Sequence, residues 1–251
     1  MANTNPEYLH HSLKHVYSLK HMWLENVSAG PVNVRNGIHP FITISRQGGA
    51  GAHTLAEAIG REMEKRHEAG GHGGILHGWQ IFDNELCQML LEDPHLKVSL
   101  ESLLKEEYLS EIEDMIRELL GGDSPQFTVA KKMFHCIRTL ATVGKAIIVG
   151  RGGVCLTRDL PMGVHIRLVA PLDFRIKHTM GLLNTGEPEA RKIVEEWDHH
   201  RLKLIKAHFN KSIEDPLLFD ATWNTARVPM EIMASAVVDM VEHKIRSHRK
   251  P

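Results

Sequence analysis

The period of hydrophobic and polar positions changes along the chain, and the changes mark out its elements. Phe41–Ile44 is a short apolar run of strand-favouring residues, and in Thr54–Met63 the apolar positions Leu55, Ile59 and Met63 recur at helical spacing. Trp79–Phe82 reads as a second strand. From about Leu86 to Leu120 the pattern is helical, with Leu96, Leu100, Leu103, Leu104, Ile112, Met115, Ile116 and Leu119 on one face. Gly121–Pro125 breaks that run, and Phe127–Val143 resumes as an amphipathic helix. Ala146–Val149 is a continuous apolar stretch, as a buried parallel strand requires. Val164–Pro171 reads as a strand, Leu172–Met180 begins a helix, and Asn184–Pro188 interrupts it before a charged helix over Glu189–His208. Phe219–Trp223 is the last strand, and Met230–Ile245 closes the chain as a helix after Pro229. Ahead of all these, Tyr8, Leu13, Val16, Leu19, Met22 and Trp23 give residues 1–38 a loose helical stripe. That N-terminal helical extension packs on the domain or on a second subunit; an exposed apolar face on it would favour a homodimer.

Strands alternating with helices predict an α/β protein, and the strand ends carry the candidate chemistry. Between the first strand and its helix lies Arg46-Gln-Gly-Gly-Ala-Gly-Ala-His-Thr54. Glycines at 48, 49 and 51 let backbone N–H groups turn inward around an anion, with the positive end of a helix dipole behind them. The stretch departs from the P-loop pattern G-x-x-x-x-G-K-[ST]. With Thr54 in the hydroxyl place, the lysine place falls on Ala52 or His53, and the first glycine place on Arg46 or Gln47. The other reading is a glycine-rich turn that only joins strand to helix. Asp83 and Glu85 follow the second strand, where an open parallel sheet binds ligands, although Asp83 also suits a helix N-cap. Gly150-Arg151-Gly152-Gly153 follows the third strand directly, with no acidic residue at its end. Arg151 there has a planar fork suited to phosphate oxygens; its other reading is a pair with Asp159. Arg175, Lys177, Arg191, Lys192, Arg201, Lys203 and Lys206 make the late helical pair basic, either as cations that close over phosphates or as a solvated face.

Composition narrows the class. The 251 residues are 42% hydrophobic and 24% charged, with a formal net charge of −1. That is a globular composition, and it does not supply a strongly basic nucleic-acid surface. Cys87, Cys136 and Cys155 are widely spaced without a CxxC, which suggests reduced thiols and a cytoplasmic setting. No apolar run reaches membrane-spanning length. The 18 histidines are scattered and include no HExxH, so a dedicated metal site is not expected from them.

Six stretches in collinear order carry a resemblance: Ile44–Ala56, Phe82–Leu86, Ile147–Gly152, Ala170–Ile176, Asp198–Arg201 and Phe219–Thr225. Over residues 40–245 or so, the chain resembles the cytidylate-kinase-like branch of the P-loop nucleoside-monophosphate kinases. The resemblance implies a P-loop NTPase-type three-layer α/β sandwich with a five-stranded parallel sheet. It implies a kinase-like domain over 39–251, with a helical acceptor-side insertion at 84–144 and a LID at 175–210. It implies transfer of the γ-phosphoryl group of ATP, with Mg²⁺, to CMP or dCMP, so that the partners are small nucleotides. Carried over, Arg46, Gln47, Gly48, Gly49, Ala50, Gly51, Ala52, His53 and Thr54 would hold the donor phosphates, with Thr54 as the Mg²⁺-side hydroxyl. Asp83 and Arg151 would face the acceptor, and Arg151, Arg175, Asp198 and Arg201 would serve catalysis. Members of this branch commonly have a small residue where Ala52 stands. The missing lysine leaves a second reading, a nucleotide-binding regulatory protein of the same fold with little or no turnover.

Overall fold

The computed structural model describes residues 39–70, 74–92, 106–120 and 128–248. The expected N-terminal helix, and with it the choice between packing on the domain and on a second subunit, lies outside the described residues. Five strands form one parallel sheet: β1 (Phe41–Arg46), β2 (Gln80–Phe82), β3 (Ala146–Val149), β4 (Gly163–Val169) and β5 (Ala221–Asn224), in the order β2-β3-β1-β4-β5. Eight helices connect them among the described residues: α1 (Ala52–Glu68), α2 (Asn84–Glu92), α3 (Glu106–Leu120), α4 (Thr128–Val143), α5 (Gly153–Thr157), α6 (Leu172–Leu183), α7 (Glu187–Phe209) and α8 (Met230–His248).

The strands are apolar on both faces because both faces are covered. Alternate residues of a strand point to opposite sides, so Phe41 and Ile148 join Phe82, Leu86, Ile116, Phe134 and Ile137 under α2, α3 and α4. Ile42, Ile44, Ile147 and Val149 face the other way, onto Leu55, Ile59 and Met63 of α1 and Met233, Val237 and Val241 of α8. Full burial of one such aliphatic side chain is worth about 1.5–3 kcal/mol, and these two cores hold the sheet between two helical layers. The three-layer sandwich and the five-stranded parallel sheet expected from the sequence are both present.

Register fixes where the functional segments meet. β1 pairs with β3 through Ile42 and Ile147, Thr43 and Ile148, and Ile44 and Val149. On its other side it pairs with β4 from Phe41 and Gly163 to Arg46 and Leu168. The chain therefore leaves β1 on one side towards β3 and β2, and later returns on the other towards β4 and β5. Such a switch point opens a crevice at the carboxyl ends of the strands. The turns after β1 and β3 lie side by side there, joined by the Gly150 amide donating to the Ile44 carbonyl at 3.0 Å.

Candidate active site

The glycine-rich turn resolves its own register. Gly49 and Gly51 have φ of 76° and 82°, which a side chain disfavours, and helix α1 begins at Ala52 immediately after Gly51. The first intrahelical bond is the Leu55 amide to the Gly51 carbonyl, at 3.0 Å. No side chain caps this end and no acidic residue sits in its first turn. The helix start therefore has the form of an anion cradle, with backbone N–H groups that need a partner and a positive dipole end. Ala52 takes the lysine place of the P-loop pattern; His53 stands between it and Thr54, one residue more than the pattern as written has, and Thr54 is exposed. Ala52 itself is only 5% exposed.

The first half of the turn is held from behind. Gln47 donates its amide to the Leu168 carbonyl at 3.0 Å and accepts from the Ala170 amide at its Oε1, also at 3.0 Å. Gly48 donates its amide to Asp198 Oδ1 at 2.6 Å. Arg175 donates from Nη1 to the other Asp198 oxygen at 2.6 Å and to the Gly48 carbonyl at 3.1 Å, and from Nε to the Ala170 carbonyl at 3.0 Å. Helices α6 and α7 thus meet the turn through one buried arginine and one carboxylate. The structure places Arg175 behind the turn, its carbonyl the nearest atom to a Cβ added at Gly49; Ala50 is buried in the core.

On the open side is a cavity of about 290 Å³, lined by residues of β1, the turn after β3 and α7. Arg46, Arg151 and Arg201 all line it. Arg151 holds a φ of 54°, uncommon for a residue with a side chain, and the glycines on both sides of it are also at positive φ. Burial weakens proton binding by Arg151, which the charge of Asp83 partly offsets. Burial does the same to Arg201, whose nearest carboxylate is Asp198 at 3.5 Å; the Arg151 and Arg175 charges add to the effect. Both stay cationic near neutral pH, since a guanidinium starts so high. Asp159 does not partner Arg151. It makes a two-pronged pair with Arg138, which holds its carboxyl below the usual range.

Asp83 serves as an N-cap, accepting from the Leu86 amide at 2.9 Å, and it also lies 3.9 Å from His53 Nδ1. Burial lowers the pKa of His53, Asp83 and Glu57 oppose the shift, and the Arg46 charge reinforces it. His53 is therefore neutral near pH 7 and supplies no cation to the turn. Trp197 and Leu204 line the cavity without having been singled out from the sequence, and so does His200, which the sequence offered only inside the Asp198–Arg201 stretch. Their spacing with Arg201 and Ile205 is that of one helical face, which was visible; that the face looks into a cavity was not.

The fold implies Mg²⁺, and the donor set fits one mode of holding it. Among the described residues no group of three His, Cys, Asp or Glu could grip a metal. Magnesium in phosphotransferases is held by substrate phosphates, waters and one or two protein oxygens. The Thr54 hydroxyl beside the cradle suits an ion that arrives with the nucleotide.

A central strand, a glycine turn feeding an uncapped helix, and arginines across the same crevice define a P-loop kinase type of fold. The cytidylate kinase-like family matches residues 74–227, and the chain belongs to that family. Membership supports a nucleotide-kinase type of phosphotransferase. Among solved structures, an uncharacterized protein from Eubacterium ventriosum ATCC 27560 superposes with a TM-score of 0.58 at 17% identity, covering 82% of this chain and 99% of that one. At that identity the likeness is one of fold. A shikimate kinase from Bacteroides thetaiotaomicron gives a TM-score of 0.41 at 14% identity, covering 81% of this chain and 98% of that one. A shikimate kinase from Acinetobacter baumannii in complex with shikimate gives 0.32 at 16%, covering 82% and 94%. Those two carry no argument about this chain's chemistry. No curated protein matches the chain in sequence. No helix among the described residues is long and apolar enough to cross a membrane.

Proposed function

We propose that this protein transfers the γ-phosphoryl group of ATP to CMP or dCMP. The observation that carries the reading is the convergence of Arg46, Arg151 and Arg201 on one cavity, with the uncapped start of α1 at the end of the turn that follows Arg46. Two anions can thus be held in contact, one at the backbone cradle and one among guanidinium groups, without a general base. Phosphoryl transfer needs little else, because catalysis is mostly positioning and charge stabilisation. An oxygen of the acceptor phosphate attacks the γ-phosphorus, the bond to the bridging oxygen breaks, and ADP leaves.

In this reading the segment Arg46–Thr54 holds the donor phosphates and Arg151, with Asp83, holds the acceptor. Arg201 turns towards the acceptor from α7, while Arg175 and Asp198 hold the turn in shape. Thr54 faces the Mg²⁺ that comes with ATP, which would neutralise phosphate charge. Residues 84–144 would form the acceptor side and 175–210 the lid of a domain spanning 39–251. Free thiols at Cys87, Cys136 and Cys155 fit a cytoplasmic setting.

The second reading, a nucleotide-binding protein with little turnover, is favoured by the buried Ala52 in the lysine place. An ADP-release assay with ATP, Mg²⁺ and each of CMP, dCMP, UMP, AMP and GMP separates the two. Turnover with CMP or dCMP that Arg151→Ala lowers at least about 10²-fold supports the kinase, that being the scale of losing one charge-stabilising group. Binding of ATP without turnover on any acceptor would leave the second reading.

A further inference from the structure

Ala52 stands in the lysine place of the P-loop pattern, and the residue that follows β3, Gly150, lies under the guanidinium of Arg46. We propose that the two are one feature: Arg46 is the cation that meets the transferring phosphoryl group in place of the lysine, and Gly150 is glycine to leave room for it. The inference rests on the phosphotransferase reading above and deepens it.

The geometry of Arg46 is what distinguishes it. It is the last residue of β1, in register with Leu168, and it lines the cavity together with Gly150, Arg151 and Arg201. Its guanidinium lies over the backbone of Gly150, so closely that a Cβ added there would overlap Nη1. Gly150 is also at a φ of 83°, a backbone conformation that a side chain disfavours. A Cβ there would have to displace the flexible end of Arg46 from its place over the end of β3.

Arg46 also adjoins the other side of the reaction. It immediately precedes the turn that runs through Gly51 into α1, where the donor cradle lies, and its charge adds to the lowering of the His53 pKa in the first turn of that helix. Arg46 thus stands between the cradle and the acceptor cavity, the place where a γ-phosphoryl group passes from one to the other. The neighbouring cations lie elsewhere in the site. Arg175 donates to Ala170, Gly48 and Asp198 behind the turn, and Arg201 lies beside Asp198 and 5.8 Å from the centre of the Trp197 ring. Ala52 carries no charge and His53 is neutral near pH 7. A fork of N–H donors at Arg46 can bind two oxygens of one phosphoryl group, where a lysine offers a single point of charge.

The test compares ATP with ADP, because a group that meets the γ-phosphoryl must distinguish them. Affinities for both nucleotides are measured by calorimetry, with Mg²⁺, on the full chain and on Arg46→Met, Arg46→Lys and Gly150→Ala, with circular dichroism to check folding. The expected result for Arg46→Met is an ATP affinity lowered about tenfold or more, as for loss of one charge-assisted contact, with ADP affected much less. Arg46→Lys recovers most of the preference. Gly150→Ala, which keeps the arginine but displaces its guanidinium, loses it as Arg46→Met does. A merely structural role would lower both affinities in step. An unchanged ATP-to-ADP ratio in Arg46→Met overturns the inference while leaving the kinase reading intact. Should Arg46→Met not fold, the ratio in Gly150→Ala decides. A wild-type chain that binds neither nucleotide overturns the phosphotransferase reading, and this inference with it.

Discussion

The Gly48 amide and the Asp198 carboxylate, 150 residues apart in sequence, are joined by a 2.6 Å hydrogen bond. Arg175 closes the arrangement, binding the second Asp198 oxygen and the Gly48 carbonyl, so the peptide unit around Gly48 is gripped at both its polar ends. The arginine is only 7% exposed. Removing its carboxylate therefore leaves a buried cation without its pair. Asp198→Ala is expected to destabilise the fold by about 3 kcal/mol, and Asp198→Asn, which keeps an acceptor oxygen, by about half as much. Urea unfolding of both variants measures this. The double variant with Arg175→Ala should cost less than the sum of the single changes, since neither partner is then left alone.

Asp83 caps α2, and one pair of substitutions separates that cap from the acceptor role proposed for it. Asparagine caps a helix as well as aspartate does, so Asp83→Asn should retain stability within a few tenths of a kcal/mol, while Asp83→Ala loses about 1 kcal/mol. If the site uses the carboxylate charge, both variants lose turnover or acceptor affinity together, despite their different melting temperatures. Full turnover in Asp83→Asn would reduce Asp83 to its cap.

Two glycines near one another in sequence should respond in opposite ways to alanine. Gly49 sits at a φ of 76°, and an added Cβ would run into the Arg175 carbonyl and lie 2.8 Å from Thr179 Oγ1. Gly49→Ala is expected to cost more than about 2 kcal/mol through strain and displacement of the turn. Gly60 lies inside α1 and a Cβ there meets nothing within 4 Å. Gly60→Ala should raise stability by about 0.5–1 kcal/mol. Thermal denaturation reads both signs.

His165, 4% exposed on β4, gives the fold an acid-side limit. It pairs with the Thr43 hydroxyl at 2.8 Å and packs edge-on against Phe41. Burial lowers its pKa from 6.5 to about 4; Asp220 and Asp159 oppose the shift, and Lys244 and Arg158 assist it. Between those two values the unfolded chain binds a proton that the folded chain refuses. Stability from this group is thus complete above pH 6.5 and declines as the pH falls towards 4, by a total on the order of 3 kcal/mol. Unfolding free energies measured across that range should show the slope, and His165→Gln should flatten it.

Local pattern along the chain located the five strands and the longer helices in order, though not the short α5. Short apolar runs at Phe41–Ile44 and Ala146–Val149 could be buried only as covered parallel strands, and the glycines at 48, 49 and 51 required a turn of unusual backbone form. It also carried Asp83 as a cap, because capping depends on the next three residues alone. Local pattern ends there. Sequence left the lysine place open between Ala52 and His53, and the start of α1 immediately after Gly51 assigned it to Ala52. Arg151 was legible as a cation at a strand end, but whether Asp159 neutralised it depended on where Arg138 of α4 came to lie. Arg175 and Arg201 looked alike as basic residues of a helical pair; packing sent one behind the turn and the other to the cavity. The contact of Arg46 with Gly150 joins two strand ends about a hundred positions apart. Such relationships follow from sheet order and helix packing, which fix distances between residues that no local pattern links.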